Sequence, residues 1–308
     1  MPRAILLLAL IACSVAFATP VPDAPKRCEG CEAMNQPREP FRIWGNTYYV
    51  GTKGLASILI TSRAGHVLID GGLPQSVPLI AANIEKLGFR VEDIRLILNS
   101  HTHYDHAGGI AALQRASGAQ VAASPKSKLA LERGGPTPDD PQFGFGAAHN
   151  DWAPVKDVRA LRDGETLHVG NITITAHFTP GHTPGGTSWT WAACDGEDCM
   201  SIAYLDSLNA ISAPGFHFTG AGSRRVREFR KSIDVVASLT CGIVLAPHPE
   251  LVDLDARLDA ARANHQDHLA RDLDGCRRYA EAARIRLDKR IAQEKSEQKS
   301  WQSPSSAN

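Results

Sequence analysis

The segment His101-Thr102-His103-Tyr104-Asp105-His106 packs four potential metal ligands into six residues, directly after the apolar run Ile94 to Leu98. A chain built this way must deliver that segment from a strand end to a point where other ligands converge. Imidazole and carboxylate together suit Zn²⁺, which takes nitrogen and oxygen ligands at about 2.0–2.2 Å. On an extended stretch, residues two apart point the same way, so His101 and His103 can grip one ion. Asp105 and His106 follow a turn and face a neighbouring position, a geometry that suggests two metals. With 12 histidines in 308 residues, a histidine-rich polar loop is the competing reading of this segment alone.

Two later histidines decide between these readings. His182 lies in Pro180-Gly181-His182-Thr183-Pro184-Gly185-Gly186, and His248 in Ala246-Pro247-His248-Pro249. Each follows a β-type run, Ile172 to Phe178 and Gly242 to Leu245. Flanking Gly and Pro fix turns and let backbone approach an ion closely. Loops at strand ends that converge on one sheet edge are where α/β proteins place their chemistry.

The series H-x-H-x-D-H, P-G-H-T-P-G-G and P-H-P resembles the metallo-β-lactamase superfamily, and most of all the third subclass of its zinc β-lactamases. The resemblance runs from about Phe41 to about Ile291. It implies a first zinc on His101, His103 and His182, and a second on Asp105, His106 and His248. Where the first subclass carries a cysteine on its second zinc, this chain reads Asp206-Ser207-Leu208. Ser207 and Ser212 look like the serines with which the third subclass contacts a substrate carboxylate. The fold implied is α/β: a four-layer αββα sandwich with the metals at the edge between the two β-sheets. The chemistry implied is opening of the β-lactam amide by a hydroxide bridging two Zn²⁺, with Asp105 holding the second zinc and orienting the hydroxide. Penicillins, cephalosporins and carbapenems would be the substrates, and antibiotic resistance the consequence.

Arg3, the apolar run Ala4 to Ala12 and the closing Ala16-Phe17-Ala18 have the form of a secretory signal peptide. The run is shorter than the about 20 residues needed to span a bilayer. Cleavage after Ala18 would deliver a periplasmic protein, while Leu10-Ile11-Ala12-Cys13 also resembles a lipoprotein signal with Cys13 lipidated. Cleavage leaves Cys28, Cys31, Cys194, Cys199, Cys241 and Cys276, an even count that reads as disulfides in an exported chain. Cys194 and Cys199 bracket a hairpin tip, Asp195-Gly196-Glu197-Asp198. A Cys241–Cys276 bridge is implied by the resemblance, because the subclass often has one there. Cys28-Glu29-Gly30-Cys31 suits a short local disulfide near a mobile N-terminus better than a zinc or redox pair, since no second C-x-x-C accompanies it.

Lys plus Arg and Asp plus Glu each total 33, so there is no net field, and no basic stripe argues for nucleic acid. The partner expected is a small molecule, with the chain a monomer. The organisation predicted is a signal over 1–18, an N-terminal extension over 19–40, the catalytic domain over 41–291 and a polar, disordered tail over 292–308. Within the domain, Tyr48 to Thr61, His66 to Ile69 and Ile94 to Leu98 read as strands. Val77 to Leu87, Gly109 to Ala116 and Arg225 to Ala237 read as helices, and Val158 to Tyr204 as a meander. The long loop Gly134 to Ala153 carries Phe143-Gly144-Phe145. Long loops inside compact domains are usually functional, and these rings either wall the site or cap the core.

Two other functions compete. A lactone or thioester hydrolase of the same superfamily would use Asp206 to bridge the metals, as an aspartate in a similar D-S/T-L stretch does in those relatives. A binding protein with structural zinc is disfavoured, because closed structural sites use four ligands on one ion, whereas six ligands over two ions leave positions open.

Overall fold

The computed structural model describes residues 20–220 and 223–302. The expected signal over 1–18, with Cys13, lies outside the described residues. Among the described residues the strands form two sheets. The seven-stranded sheet is ordered β1 (Phe41–Trp44), β2 (Thr47–Tyr49), β3 (Ile58–Ile60), β4 (His66–Ile69), β5 (Ile94–Leu98), β6 (Gln120–Ala123) and β7 (Arg159–Ala160). The five-stranded sheet runs β8 (Thr166–Val169), β9 (Ile172–Phe178), β10 (Thr187–Asp195), β11 (Asp198–Tyr204) and β12 (Ile243–Leu245).

Side-chain alternation builds the layers. Ile58, Ile60, Ile69, Leu96 and Leu98 point to one face of the first sheet and meet Ile174, Trp189, Trp191, Ile202 and Tyr204 of the second. Leu59, Leu68, Ile97 and Val121 point the other way, onto the helices α2 (Val77–Lys86), α4 (Ile110–Ser117) and α5 (Pro125–Arg133). On the far side, Ala203 and Val244 meet α7 (Ser223–Ser238) and α9 (Gly275–Gln302) through Phe229, Ile233, Tyr279 and Leu287. Strands buried on both faces explain the near-continuous apolar runs read as strands in the sequence. The result is the four-layer αββα sandwich. The short helices α1 (Cys31–Met34), α3 (Tyr104–Ala107) and α6 (Ala147–Asn150) sit in loops, and α8 (Leu254–Ala263) follows the His248 turn.

Topology brings the strand ends that matter to one edge. β4, β5 and β6 are parallel. β9 and β11 both run antiparallel to β10, and β12 is parallel to β11. The C-terminal ends of β4, β5, β9, β11 and β12 lead into Asp70, His101, His182, Asp206 and His248 respectively. Hydrogen bonds stitch the seam: Thr187 N donates to Ser100 O (2.7 Å), Trp189 Nε1 to Asn99 O (3.2 Å) and Tyr204 OH to Asp70 Oδ2 (2.7 Å).

Three sequence expectations change. Tyr48 to Thr61 is not one strand: β2 and β3 pair antiparallel across a tight loop at residues 50–57. Gly51 and Gly54 make that loop possible, since a Cβ on either would lie 2.3 Å from Leu55 O or 2.6 Å from Met34 Cα. The tail placed at 292–308 is helical through Gln302, because α9 continues and Glu294 is buried beneath it. The Glu294 carboxylate accepts from the Phe218 and Thr219 amides (3.0 and 2.9 Å) and from Arg290 Nε (2.7 Å). The segment around Cys28 is packed down rather than loose. Lys26 exchanges two backbone hydrogen bonds with the Gln75 side chain, and Cys31 packs with Leu55 and Leu73. The structure pairs Cys28 with Cys31, Cys194 with Cys199 and Cys241 with Cys276. The middle pair lies at directly opposed positions of the β10–β11 hairpin.

Candidate metal centre

β5 ends at Leu98, and the chain stays extended through Ser100 to His103 before turning into α3, which carries Asp105 and His106. His101, His103 and His182 come together with one ligand atom each, all within 4.8 Å of one another. Their rings stand nearly perpendicular, with centroids 4.6 to 5.1 Å apart. Beside them, Asp105 Oδ2 lies 3.2 Å from His106 Nε2 and 3.4 Å from His248 Nε2. The two Nε2 atoms are 3.1 Å apart. Ligands at about 2.0–2.1 Å around a tetrahedral ion stand roughly 3.3 Å from each other, so this second triad is spaced for one ion. His101 also lies within 4.8 Å of Asp105 and His106, which makes the two triads neighbours.

Three of the nitrogens that face away from the triads have close polar neighbours, whereas His106 Nδ1 is buried without a hydrogen-bond partner. His182 Nδ1 donates to Asn209 O at 2.7 Å. His103 Nε2 meets Asp140 Oδ1 at 3.2 Å. His101 Nδ1 lies 3.2 Å from Ser100 Oγ and 3.0 Å from Asp206 Oδ1, while His101 Nε2 is buried without a hydrogen-bond partner. A buried imidazole nitrogen with no partner, set inside a cluster of others, is a donor suited to a cation. Burial, then the neighbouring imidazoles, hold the His101 and His182 pKa values well below the usual histidine range. Both rings therefore keep lone pairs free at neutral pH, the state a metal requires. Burial alone would raise the Asp105 carboxyl pKa, but His106 and His248 outweigh it and hold Asp105 ionised. The donor set fits zinc: five imidazoles and one carboxylate, in two triads with positions left open.

Asp206 occupies a different place from a bridging ligand. It is fully buried, joins neither triad among the described residues, and faces His101 Nδ1. That contact is close but not aligned as a hydrogen bond, and both Asp206 oxygens lack a partner. Burial drives its pKa well above the carboxylate range. The Ser207 hydroxyl is buried and unpartnered. Ser212 Oγ is already engaged, donating to Phe216 O (3.3 Å) and accepting from Arg290 (2.7 Å). Its expected substrate contact therefore meets a hydroxyl committed to holding its own loop. Phe143 and Phe145 form a single helical turn and are 37% and 39% exposed, so neither ring caps the core fully.

Three positioning groups escaped the sequence reading. Asp70, fully buried with φ 63°, accepts from Asn99 Nδ2 (3.0 Å), Ser100 N (2.7 Å), Ser100 Oγ (2.6 Å) and Tyr204 OH (2.7 Å). It pins the residue before His101 and approaches His106 Nδ1 to 3.9 Å. Asp140 and the Asn209 carbonyl were also missed. Asp70-Gly71-Gly72 reads as a turn, and nothing local marks the other two.

Comparison with known proteins agrees with this geometry. The model of the metallo-beta-lactamase superfamily matches residues 52–194. The solved structure of Rm3 metallo-beta-lactamase superposes with a TM-score of 0.83 at 51% identity, covering 87% of this chain and 99% of that one. A subclass B3 metallo-beta-lactamase isolated from a soil metagenome library gives 0.82 at 46% identity, covering 86% and 99%. Among curated relatives, a hydroxyacylglutathione hydrolase of Pseudomonas entomophila is 35% identical over 92 residues, 30% of this chain and 26% of that protein. The chain thus spans about a quarter of that relative's length, against nearly all of the two solved structures. The chain belongs to the metallo-β-lactamase superfamily, and within it most resembles the subclass B3 enzymes.

Proposed function

We propose that this protein is a zinc β-lactamase that hydrolyses the β-lactam amide and confers resistance to β-lactam antibiotics. The observation that carries the reading is the ligand set. Asp105 is the sole carboxylate among six ligands, while Asp206 stands behind His101 and outside both triads. A site with so little negative charge favours substrates that bear a carboxylate, as β-lactam antibiotics do. The lactone or thioester alternative, which needs Asp206 between the metals, lacks that support. The likeness to a hydroxyacylglutathione hydrolase covers only 30% of this chain and 26% of that protein.

Two zinc ions would be held, one by His101, His103 and His182, the other by Asp105, His106 and His248. When bound, zinc supplies Lewis acidity and makes water acidic enough to serve as a nucleophile near neutral pH. The chain's own residues do the rest. Asp105, held ionised by its imidazole neighbours, orients the attacking water by accepting its proton in a hydrogen bond. Ser207 keeps a buried, unpartnered hydroxyl beside the site, which would reach a substrate carboxylate through an intervening water. Phe143 and Phe145 offer an apolar wall to substrate side chains, since ligand sites are largely apolar with a few placed polar groups. Ser212, with its hydroxyl engaged by Arg290, keeps the loop after Ser207 in place.

Hydrolysis of nitrocefin by the purified protein, with and without a chelator, tests the proposal. Chelator-sensitive turnover is expected. A zinc-loaded protein that leaves nitrocefin intact while cleaving a lactone or thioester would refute it. Export belongs to the same proposal, because the substrates act in the periplasm. N-terminal sequencing should find the mature chain starting after Ala18, and a lipidated Cys13 would show anchoring instead. Among the described residues no helix is long and apolar enough to cross a membrane.

A further inference from the structure

Asp140 lies in the long loop between β6 and β7, 37 residues from His103 in sequence, yet its Oδ1 is 3.2 Å from His103 Nε2. It is 2% exposed, so water does not compete for that contact. We propose that Asp140 is a positioning residue of the metal centre, fixing the tautomer and ring orientation with which His103 meets the first zinc.

The chemistry is one-sided. A carboxylate only accepts hydrogen bonds, so His103 must carry its proton on Nε2 and present the Nδ1 lone pair to His101 and His182. Partners of this kind raise the basicity of a ligating imidazole and hold its plane.

The carboxylate is itself held from several directions. Its Oδ1 also accepts from the Gln142 amide at 2.8 Å. Asp140 N donates to Thr137 O (2.8 Å), and Asp140 O accepts from Phe143 N (3.1 Å). On either side, Arg225 of α7 donates to Asp139 O, and Ala213 N donates to Pro141 O at 2.9 Å. A loop tied to α7 and to the 209–216 segment gives the carboxylate little freedom to follow a wandering ring. Asp140 Oδ2 is buried without a partner, so Oδ1 carries the anchoring alone.

The inference rests on His103 being a ligand, and not on which bond the enzyme breaks. Two measurements on the zinc-loaded protein test it without any β-lactam. Nitrogen-15 spectra of the histidine rings should show His103 protonated on Nε2. Competition with a chromophoric chelator should show Asp140→Ala weakening one of the two zinc affinities by about 10–100-fold and leaving the other unchanged. Asp140→Asn keeps an acceptor and should lose about tenfold or less. A role confined to loop stability would lower the melting temperature and leave both affinities at the parental values. That result in Asp140→Ala would overturn the proposal, as would a proton on Nδ1 of His103 in the parent. The ring spectrum of the parent decides the matter even if Asp140→Ala fails to fold. A chain that bound zinc this way but ignored nitrocefin would lose the proposed function and keep this one.

Discussion

Asp70→Ala should be among the most destabilising single changes in this chain. The native carboxylate accepts four hydrogen bonds, all buried, from Asn99, Ser100 and Tyr204. Truncation strands those donors together. A water in the vacated space can satisfy about two of them, and each remaining buried donor costs about 1–3 kcal/mol. Position 70 also has φ 63°, where alanine adds about 1–2 kcal/mol that aspartate or asparagine largely avoids. The expected loss is therefore about 5 kcal/mol, against a typical total of about 5–15 kcal/mol. Asp70→Asn is the control. Its amide NH₂, placed at Oδ2, faces two hydroxyls that can rotate to accept, and its oxygen keeps the Ser100 and Asn99 bonds. It also removes a charge whose burial raises its pKa. Asparagine should cost no more than about 2 kcal/mol. Urea unfolding in the presence of chelator separates the two variants without interference from zinc. Alanine within about 1 kcal/mol of the parent would refute the reasoning, as would asparagine equal to alanine.

Ser207→Ala should raise KM for carboxylate-bearing β-lactams about tenfold and leave kcat nearly unchanged, because one hydroxyl bond remote from the reacting amide is uniform binding; a fall in kcat alone would place Ser207 in the chemistry. Phe143→Ala and Phe145→Ala should raise KM for substrates with bulky apolar side chains more than for compact ones, with little change in melting temperature; lower stability with unaltered substrate ranking would return both rings to a structural role. Burial alone would raise the Glu294 pKa, but the Phe218 and Thr219 amides and Arg290 outweigh it and hold it below the usual value. A depressed carboxyl stabilises the fold above its unfolded pKa of about 4.3 and loses that contribution as pH falls through the lower folded value. Glu294→Gln should therefore flatten the acid side of the stability curve, and an unchanged acid limb would count against the burial of this carboxylate. Elemental analysis should find two zincs per chain. Added zinc at 100 times its dissociation constant should stabilise the protein by about 2.7 kcal/mol per site, and a melting temperature indifferent to zinc would contradict a site built across the seam.

Much of this fold is written locally. Ile94 to Leu98 is a short apolar run and Ile172 to Phe178 a β-type alternation, and both are strands with the bounds read from the sequence. The six residues of the two triads could be picked out because each lies in the segment after a strand, beside Gly, Pro or another potential ligand. What was not legible depends on partners far away in the chain. Asp140 meets His103 across 37 residues, and Tyr204 meets Asp70 across 134. A lone aspartate before two glycines carries no mark of the four donors it will bind. Glu294 misled for the same reason. It lies in a stretch of mixed charge that looks solvated, and only the packing of α9 over Phe218 reveals its two amide partners. Tyr48 to Thr61 differs in kind, since its ends are strands and Gly51 and Gly54 turn the chain between them.

The centre belongs to neither sheet. His101 and His103 come from the end of β5, Asp105 and His106 from α3 just beyond it, while His182 follows β9 and His248 follows β12. Each triad therefore takes two ligands from the first sheet's side of the seam and one from the second's. Two ligands hold an ion poorly and leave its geometry loose, so neither triad is complete within one half. Docking of the sheets supplies the third ligand to both triads at once, and an ion in either place then opposes their separation. The same edge holds the Asp70–Tyr204, Ser100–Thr187 and Asn99–Trp189 bonds, and Ser100 and Asn99 lie one and two residues before the first ligand position, His101. Those neutral and charged hydrogen bonds set the distance between the sheets before any ion arrives. Their precision is then inherited by His182 and His248, whose side chains reach across a gap that the seam has already fixed.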